Sequence, residues 1–216
     1  MKLGRWVLEL LYPPKCVFCG RLLKKTEQDL CGKCRFALPE TEQSVKRGSY
    51  YIECFAVYYY EEFVADSIRR FKFGGMQQYA EAYGRRIALL LLRRRVTFDV
   101  LSWVPVSEKR RRERGYDQTL LIAQSVAAEL GVQCVRTLCK IRNNQPQSSQ
   151  VDAAARHANV INAYRAVDAE RYFGKRVLLI DDVITTGATL SECSHTLRTA
   201  GAASVVCATL AAARIL

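Results

Sequence analysis

No stretch of this 216-residue chain reads as a membrane span. The longest charge-free run near its C-terminus, Thr199–Ala213, has 15 residues, and a spanning helix needs roughly 20. Acidic residues are few beside basic ones, 21 against 33, for a formal charge of +12. That imbalance favours phosphate-rich partners such as nucleotides, nucleic acid or anionic lipid. Histidine is nearly absent. His157 and His195 stand alone, so no Ser/His/Asp set can be assembled. The pattern Gly-x4-Gly-Lys-Ser/Thr is missing, which excludes an ATP-driven motor built on it. No internal repeat and no helix-turn-helix pattern is visible. Near the N-terminus Glu9 interrupts the apolar residues and no small-residue cleavage site follows. A short docking helix is expected there rather than an export signal. The rest of the composition is ordinary, 50% hydrophobic and 25% charged, which excludes collagen-like and disordered chains.

Cysteine is plentiful, with nine residues. The odd number and the missing export signal argue against a disulfide framework and for a cytoplasmic protein. Four of them fall in pairs: Cys16-x2-Cys19, an 11-residue gap, then Cys31-x2-Cys34. Each pair can present two thiolates from one knuckle. Two knuckles face to face make a tetrahedral four-sulfur site that suits Zn2+. A catalytic zinc keeps an open position and commonly uses histidine, yet the nearest, His157, is over a hundred residues away. The site is therefore expected to be closed and structural. A segment of this size buries too little to fold alone, and metal binding would supply ~10–16 kcal/mol. Cys54 and Cys207 lie in apolar runs and read as small core residues.

The expected domains are a zinc ribbon over 1–45 and an α/β domain over 50–216, with a polar linker across 41–50. Strands are expected at 51–60, 98–106, 132–138, 175–180 and 203–210. Helices are expected at 64–71, 77–95, 116–130 and 188–200. Strands alternating with helices, several of them unbroken apolar runs, argue a parallel sheet covered on both faces. Residues 140–159 are polar and read as a long loop.

The most specific chemistry lies in Val177–Leu190. A buried strand is expected to end in Asp181 and Asp182, followed by a Thr/Gly turn and a helix start. Ligands of open α/β sheets bind at the carboxyl ends of strands. Backbone N–H groups at the helix start attract an anion. Gly187 lets the backbone approach closely, and Thr185, Thr186 and Thr189 add hydroxyl donors. Two carboxylates would repel a phosphate unless they serve another part of the ligand. A ribose diol offers them two O–H donors. The expected ligand thus carries both a ribose and a 5′-phosphate.

This segment resembles the phosphoribosyl-pyrophosphate (PRPP) motif of type I phosphoribosyltransferases. Together with the four-Cys ribbon, Phe71-Lys72-Phe73-Gly74, Val104-Pro105-Val106 and Arg114-Gly115-Tyr116-Asp117-Gln118, it resembles the ComF family over nearly the whole chain. The resemblance implies a type I phosphoribosyltransferase-like sheet. It implies that Asp181 and Asp182 hold the ribose hydroxyls and that Thr185, Thr186, Gly187, Ala188 and Thr189 wrap the 5′-phosphate. Arg110 and Arg114, in the loop after the first core strand, match positions that touch pyrophosphate. Mg2+ would accompany PRPP. Arg156 and Asn159 match the family's loop. Thr185 stands where purine-salvage enzymes place an Asp, so that acceptor class is disfavoured. Three roles remain open: a phosphoribosyltransferase, a non-catalytic factor of DNA uptake that binds single-stranded DNA or a competence helicase, or a PRPP-responsive regulator.

Overall fold

The computed structural model of the chain describes residues 13–41, 45–142 and 162–214. The expected N-terminal docking helix, His157, Arg156, Asn159 and most of the 140–159 loop lie outside them. Four parallel strands form the central sheet in the order β1-β6-β5-β2. They are β1 (Cys54–Tyr59), β2 (Val100–Trp103), β5 (Arg176–Ile184) and β6 (Ser204–Ala212). Side chains alternate along β5. Leu178 and Ile180 join the core on one face, Val177 and Leu179 the core on the other. Burial of both faces is why the strand reads as a continuous apolar run.

The first face is covered by α2 (Glu62–Phe73), α3 (Tyr79–Arg93) and α5 (Gln118–Leu130). Helix α3 crosses α5 at Gly84, where a Cβ would lie 2.2 Å from Ser125 Oγ. The opposite face is covered by α6 (Ala188–Thr199) and by an antiparallel pair, β3 (Leu138–Lys140) with β4 (Tyr164–Ala166). The strand expected at 132–138 is thus displaced. Only Cys134 bridges Leu101, and the regular strand begins at Leu138.

The basic run after β2 is not a loop. It forms α4 (Glu108–Arg114), started by Ser107, whose Oγ accepts from Arg110 N. The expected linker is also tied down. Thr41 N donates to Val57 O, and Val45 N and Cys54 N bond across Lys46 and β1.

The Cys-rich module contains α1 (Gly32–Ala37) and shares the first core. Phe18 packs edge-on against Tyr58 at 5.2 Å and lies 6.1 Å from Tyr83. Helix α2 supplies its polar contacts: Ser67 Oγ donates to Val17 O at 2.5 Å, and Arg70 Nη2 to Phe18 O at 2.5 Å. From α3, Arg85 grips Asp29 in a bidentate pair at 2.8 and 2.7 Å. Such pairs are geometrically demanding and stronger than neutral bonds. Arg85→Ala is expected to cost about 1.5–3 kcal/mol, read as a lower midpoint in denaturant with unchanged slope. An unchanged midpoint would remove this pair from the contacts that hold module to sheet.

Candidate functional site

The four ribbon cysteines come together, with all Sγ atoms within 4.8 Å of one another. Tetrahedral zinc at 2.3 Å from each sulfur requires S···S separations of about 3.8 Å, and Cys19 Sγ and Cys31 Sγ lie 3.6 Å apart. The geometry fits a closed four-sulfur centre. Burial, then the neighbouring Cys19 and Cys16, push the Cys34 thiol far above its ordinary value. Packed thiols resist ionising together, and a dication removes that resistance. Glu27 ties the loop between the knuckles to the second knuckle, accepting from Lys24 N at 2.8 Å and Gly32 N at 2.6 Å.

The acidic pair departs from expectation in one respect. Strand β5 does not end at Asp181. It continues to Ile184, pairing Asp181 with Thr209 and Ile184 with Ala212 of β6. Adjacent strand residues point to opposite faces, so the two carboxylates separate. Asp182, 6% exposed, faces the helices of the first layer. Lys72 Nζ of α2 lies 2.8 Å from its Oδ1, and Gln118 Nε2 of α5 donates to its Oδ2 at 3.3 Å. Asp181 turns toward Tyr164, Cys193 and Lys140 and accepts from Asp182 N at 2.8 Å. Burial raises its pKa, and the Asp182 charge raises it further.

Two motifs converge on Asp182. Tyr116 Oη donates to Phe71 O, tying the turn after α4 to the end of α2. Asp117 caps α5, with Oδ1 accepting from Thr119 N and Leu120 N at 3.1 and 3.0 Å. Its Oδ2 accepts from Val106 N at 3.3 Å. Arg114 stacks over Phe73 at 4.9 Å, in the field of Asp182 and Arg110. Its Nη1 is buried with no partner, as is Gln118 Oε1. The charge of Arg110 also acts on Lys140 and Tyr164. Lys140 itself lies 5.0 Å from the Tyr164 ring centre.

Beyond Ile184 the chain turns through Thr185, Thr186 and Gly187 into α6. Gly187, at φ 82°, occupies the N-cap position with no side-chain cap. That backbone region favours glycine. The first regular helical bond runs from Ser191 N to Gly187 O. Ala188 N donates to Thr186 Oγ1 at 3.4 Å. Among the described residues no acceptor meets the N–H of Gly187, Thr189 or Leu190. These open amides lie at the positive end of α6.

The structure therefore gathers Asp181, Asp182, Arg110 and Arg114 at one end of the sheet, with the 185–189 turn following β5. It adds four residues that were not singled out as ligand-binding. Lys72 and Gln118 lie inside the motifs that carried the resemblance. Lys140 ends the short strand β3, and its place near Asp181 needs the fold. Lys46 donates to Thr186 O from the supposed linker.

Residues 117–215 match the model of the phosphoribosyl transferase domain, and residues 7–45 that of the double zinc ribbon domain. Competence protein F of Haemophilus influenzae is 30% identical over 194 residues, 87% of this chain and 80% of that protein. DNA utilization protein YhgH of Escherichia coli K12 is 27% identical over 216 residues, 95% of this chain and 90% of that protein. Competence protein ComFC of Bacillus subtilis is 29% identical over 154 residues, covering 70% and 60% of the two chains. A solved glutamine PRPP amidotransferase from B. subtilis is 27% identical over 61% of this chain, with a TM-score of 0.42. This chain spans about a quarter of that enzyme, 26%. The molecule is a parallel-sheet protein with a phosphoribosyltransferase domain and a zinc ribbon. It belongs to the ComF family.

Two outcomes follow from the geometry. Protein purified without added metal should carry about one zinc per chain; an empty ribbon that stays folded would contradict the closed centre. Asp181 should shape the pH dependence of stability. Its pKa lies above the ordinary 3.8 in the folded chain, so the native state binds the extra proton. This contribution is complete below 3.8 and is lost as pH rises toward the folded value. Asp181→Asn should therefore stabilise the ligand-free protein at pH 8 and change little at pH 4, read from melting curves at both. Destabilisation at pH 8 would mean that the carboxylate is held charged.

Proposed function

We propose that the chain binds a ribose 5-phosphate ligand, PRPP above all. The observation that carries this reading is the set of unmet polar groups beside Asp182. Arg114 Nη1 and Gln118 Oε1 are buried without partners, and open amides start α6 on the neighbouring turn. Burying such groups unpaired costs ~1–3 kcal/mol each, and a phosphorylated sugar meets all of them. In this reading Asp181 and Asp182 accept from the ribose hydroxyls. Thr185, Thr186, Gly187, Ala188 and Thr189 hold the 5′-phosphate, and Arg110 and Arg114 meet the pyrophosphate. Lys72 already neutralises Asp182, so the acidic pair is not a ready cage for a metal of its own. Mg2+ would arrive with the pyrophosphate and neutralise its charge. If an acceptor reaches C1, pyrophosphate leaves, and the role of these residues is to hold and orient ligand charge. The free thiols fit a cytoplasmic setting.

A second reading, a DNA-handling partner role, has support from relatives named for competence and DNA utilization and from one surface. A cleft of about 1030 Å3 lies beyond the β2 edge, lined in part by Trp103, Arg112, Arg136, Lys140 and Arg165. Arg112, Arg136 and Arg165 make no side-chain hydrogen bond or ion pair among the described residues. Unpaired arginines beside an aromatic ring suit single-stranded DNA, presented directly or by a competence helicase. The exposed ribbon lysines Lys24 and Lys25 are the competing surface.

One set of measurements tests both. Calorimetry with PRPP, with and without Mg2+, should show binding in the wild type. The double change Asp181→Asn with Asp182→Asn should remove it, in protein shown by its melting curve to be folded, because Asp182→Asn also costs Lys72 its partner. Gel shifts should show single-stranded DNA binding that falls steeply with salt, as counterion release requires. Arg112→Ala with Arg136→Ala should weaken it and spare PRPP. PRPP affinity untouched by the double Asn change would refute the site. DNA affinity untouched by the cleft variant, or lost only with Lys24 and Lys25, would move the DNA surface to the ribbon.

A further inference from the structure

We infer that Lys46 is a positioning residue of the phosphate turn, reaching it from the segment that follows the ribbon. This rests on the proposed ribose-phosphate site and assigns that site a component from outside its motif. Three observations carry it. Lys46 Nζ donates to the carbonyl oxygen of Thr186, 140 residues along the chain. Its stem lies over the turn: a Cβ at Gly187 would sit 3.2 Å from Lys46 Cδ and 3.3 Å from Cε. The same imaginary Cβ would sit 3.0 Å from the hydroxyl of Tyr51, on the same segment. Lys46 is itself held, because its residue bridges Cys54 at the start of β1.

The consequence follows from peptide geometry. A trans peptide is planar, with its C=O and N–H pointing in opposite directions. A lysine that captures the Thr186 carbonyl on one side fixes the Gly187 N–H on the other. That N–H is one of the open amides at the start of α6. Left to itself, a Thr-Gly peptide can rotate as a unit, because glycine tolerates either sign of φ. Lys46 selects the orientation in which the amide faces away from the ammonium, into the turn. The side chain thus prepares a backbone donor, and its charge reinforces the anion preference of the helix start.

The test uses the full-length, zinc-loaded chain, with folding checked by melting temperature. Lys46→Met keeps the stem and removes the donor; Lys46→Arg keeps donor and charge. The readouts are the position of the Gly187 amide in ligand-free 1H–15N spectra and the affinity for ribose 5-phosphate. Met should move the Gly187 amide and weaken ribose 5-phosphate about tenfold, the effect of losing one charge-assisted bond. Arg should restore both to near wild type. A Gly187 amide that stays in place in the Met variant overturns the inference, whatever happens to affinity. So does a moved amide with unchanged affinity. If the wild type fails to bind ribose 5-phosphate and PRPP, the site reading falls, while the amide shift still tests the peptide orientation.

Discussion

A carboxylate buried near the end of a parallel strand must be paired or lose its charge, and at Asp182 the partner is Lys72. The pair it makes with Asp182 is mostly enclosed, with side-chain exposures of 22% and 8%. Removing one partner of such a pair leaves the other charge uncompensated, at about 3–5 kcal/mol. The position of Lys72 is therefore a constraint on everything near it. It sits in the last turn of α2, and that turn is held from several sides. Arg70 and Ser67 bond the first knuckle of the ribbon, and Tyr116 bonds the Phe71 carbonyl. Phe71 itself packs edge-on against Tyr83 at 5.2 Å. The ribbon is thus part of the frame that aims a lysine at the sheet.

The same constraint explains why the two aspartates are not equivalent. Strand geometry sends them to opposite faces, and each face offers different company. Asp182 has the Lys72 ammonium and the Gln118 amide within bonding distance. Asp181 has bulky neighbours and a like charge beside it, so its proton is harder to lose. A diol that donates to both must reach them at the edge of the sheet, where β5 gives way to the turn. Binding would then add a donor to the single backbone N–H that Asp181 accepts from, and its ionised form would gain most. The two acids share one motif, but their environments divide the work.

Much of this was legible in the sequence. The unbroken apolar run 177–180 marks a strand buried on both faces, and the structure divides it between two cores. The cysteine spacing gave the four-sulfur centre directly, because a knuckle is a local structure. The strand runs past the acids to Ile184, although charge usually marks a boundary. Here Asp182 stays inside the sheet because Lys72, 110 residues away, neutralises it. The resemblance places Arg110 and Arg114 in a loop after the first core strand. A serine cap and a helical run of Glu and Arg make it a helix instead, which turns Arg114 toward Phe73. Lys46 had no local signal at all. It sits in a polar stretch, and only the bridge to β1 reveals which turn it overlies.

The ribbon's two exits lead to the two halves of the candidate site. The knuckle bonds Arg70, one residue from Phe71 and two from Lys72, and so acts on the acidic half. The segment leaving the ribbon bridges β1 through Glu40 and Lys46, and Lys46 acts on the phosphate half. A Cys-rich segment with so little core of its own takes its shape from metal. Beside the apolar packing of Phe18 on Tyr58, its contacts with helices α2 and α3 are polar and directional: Arg85 on Asp29, Arg70 on Phe18 O, Arg86 on Glu40. Directional bonds transmit position more faithfully than apolar contact does, because they fail when an atom moves by an ångström. The bonds from Ser67 and Arg70 tie the ribbon to the helix whose last turn carries Lys72.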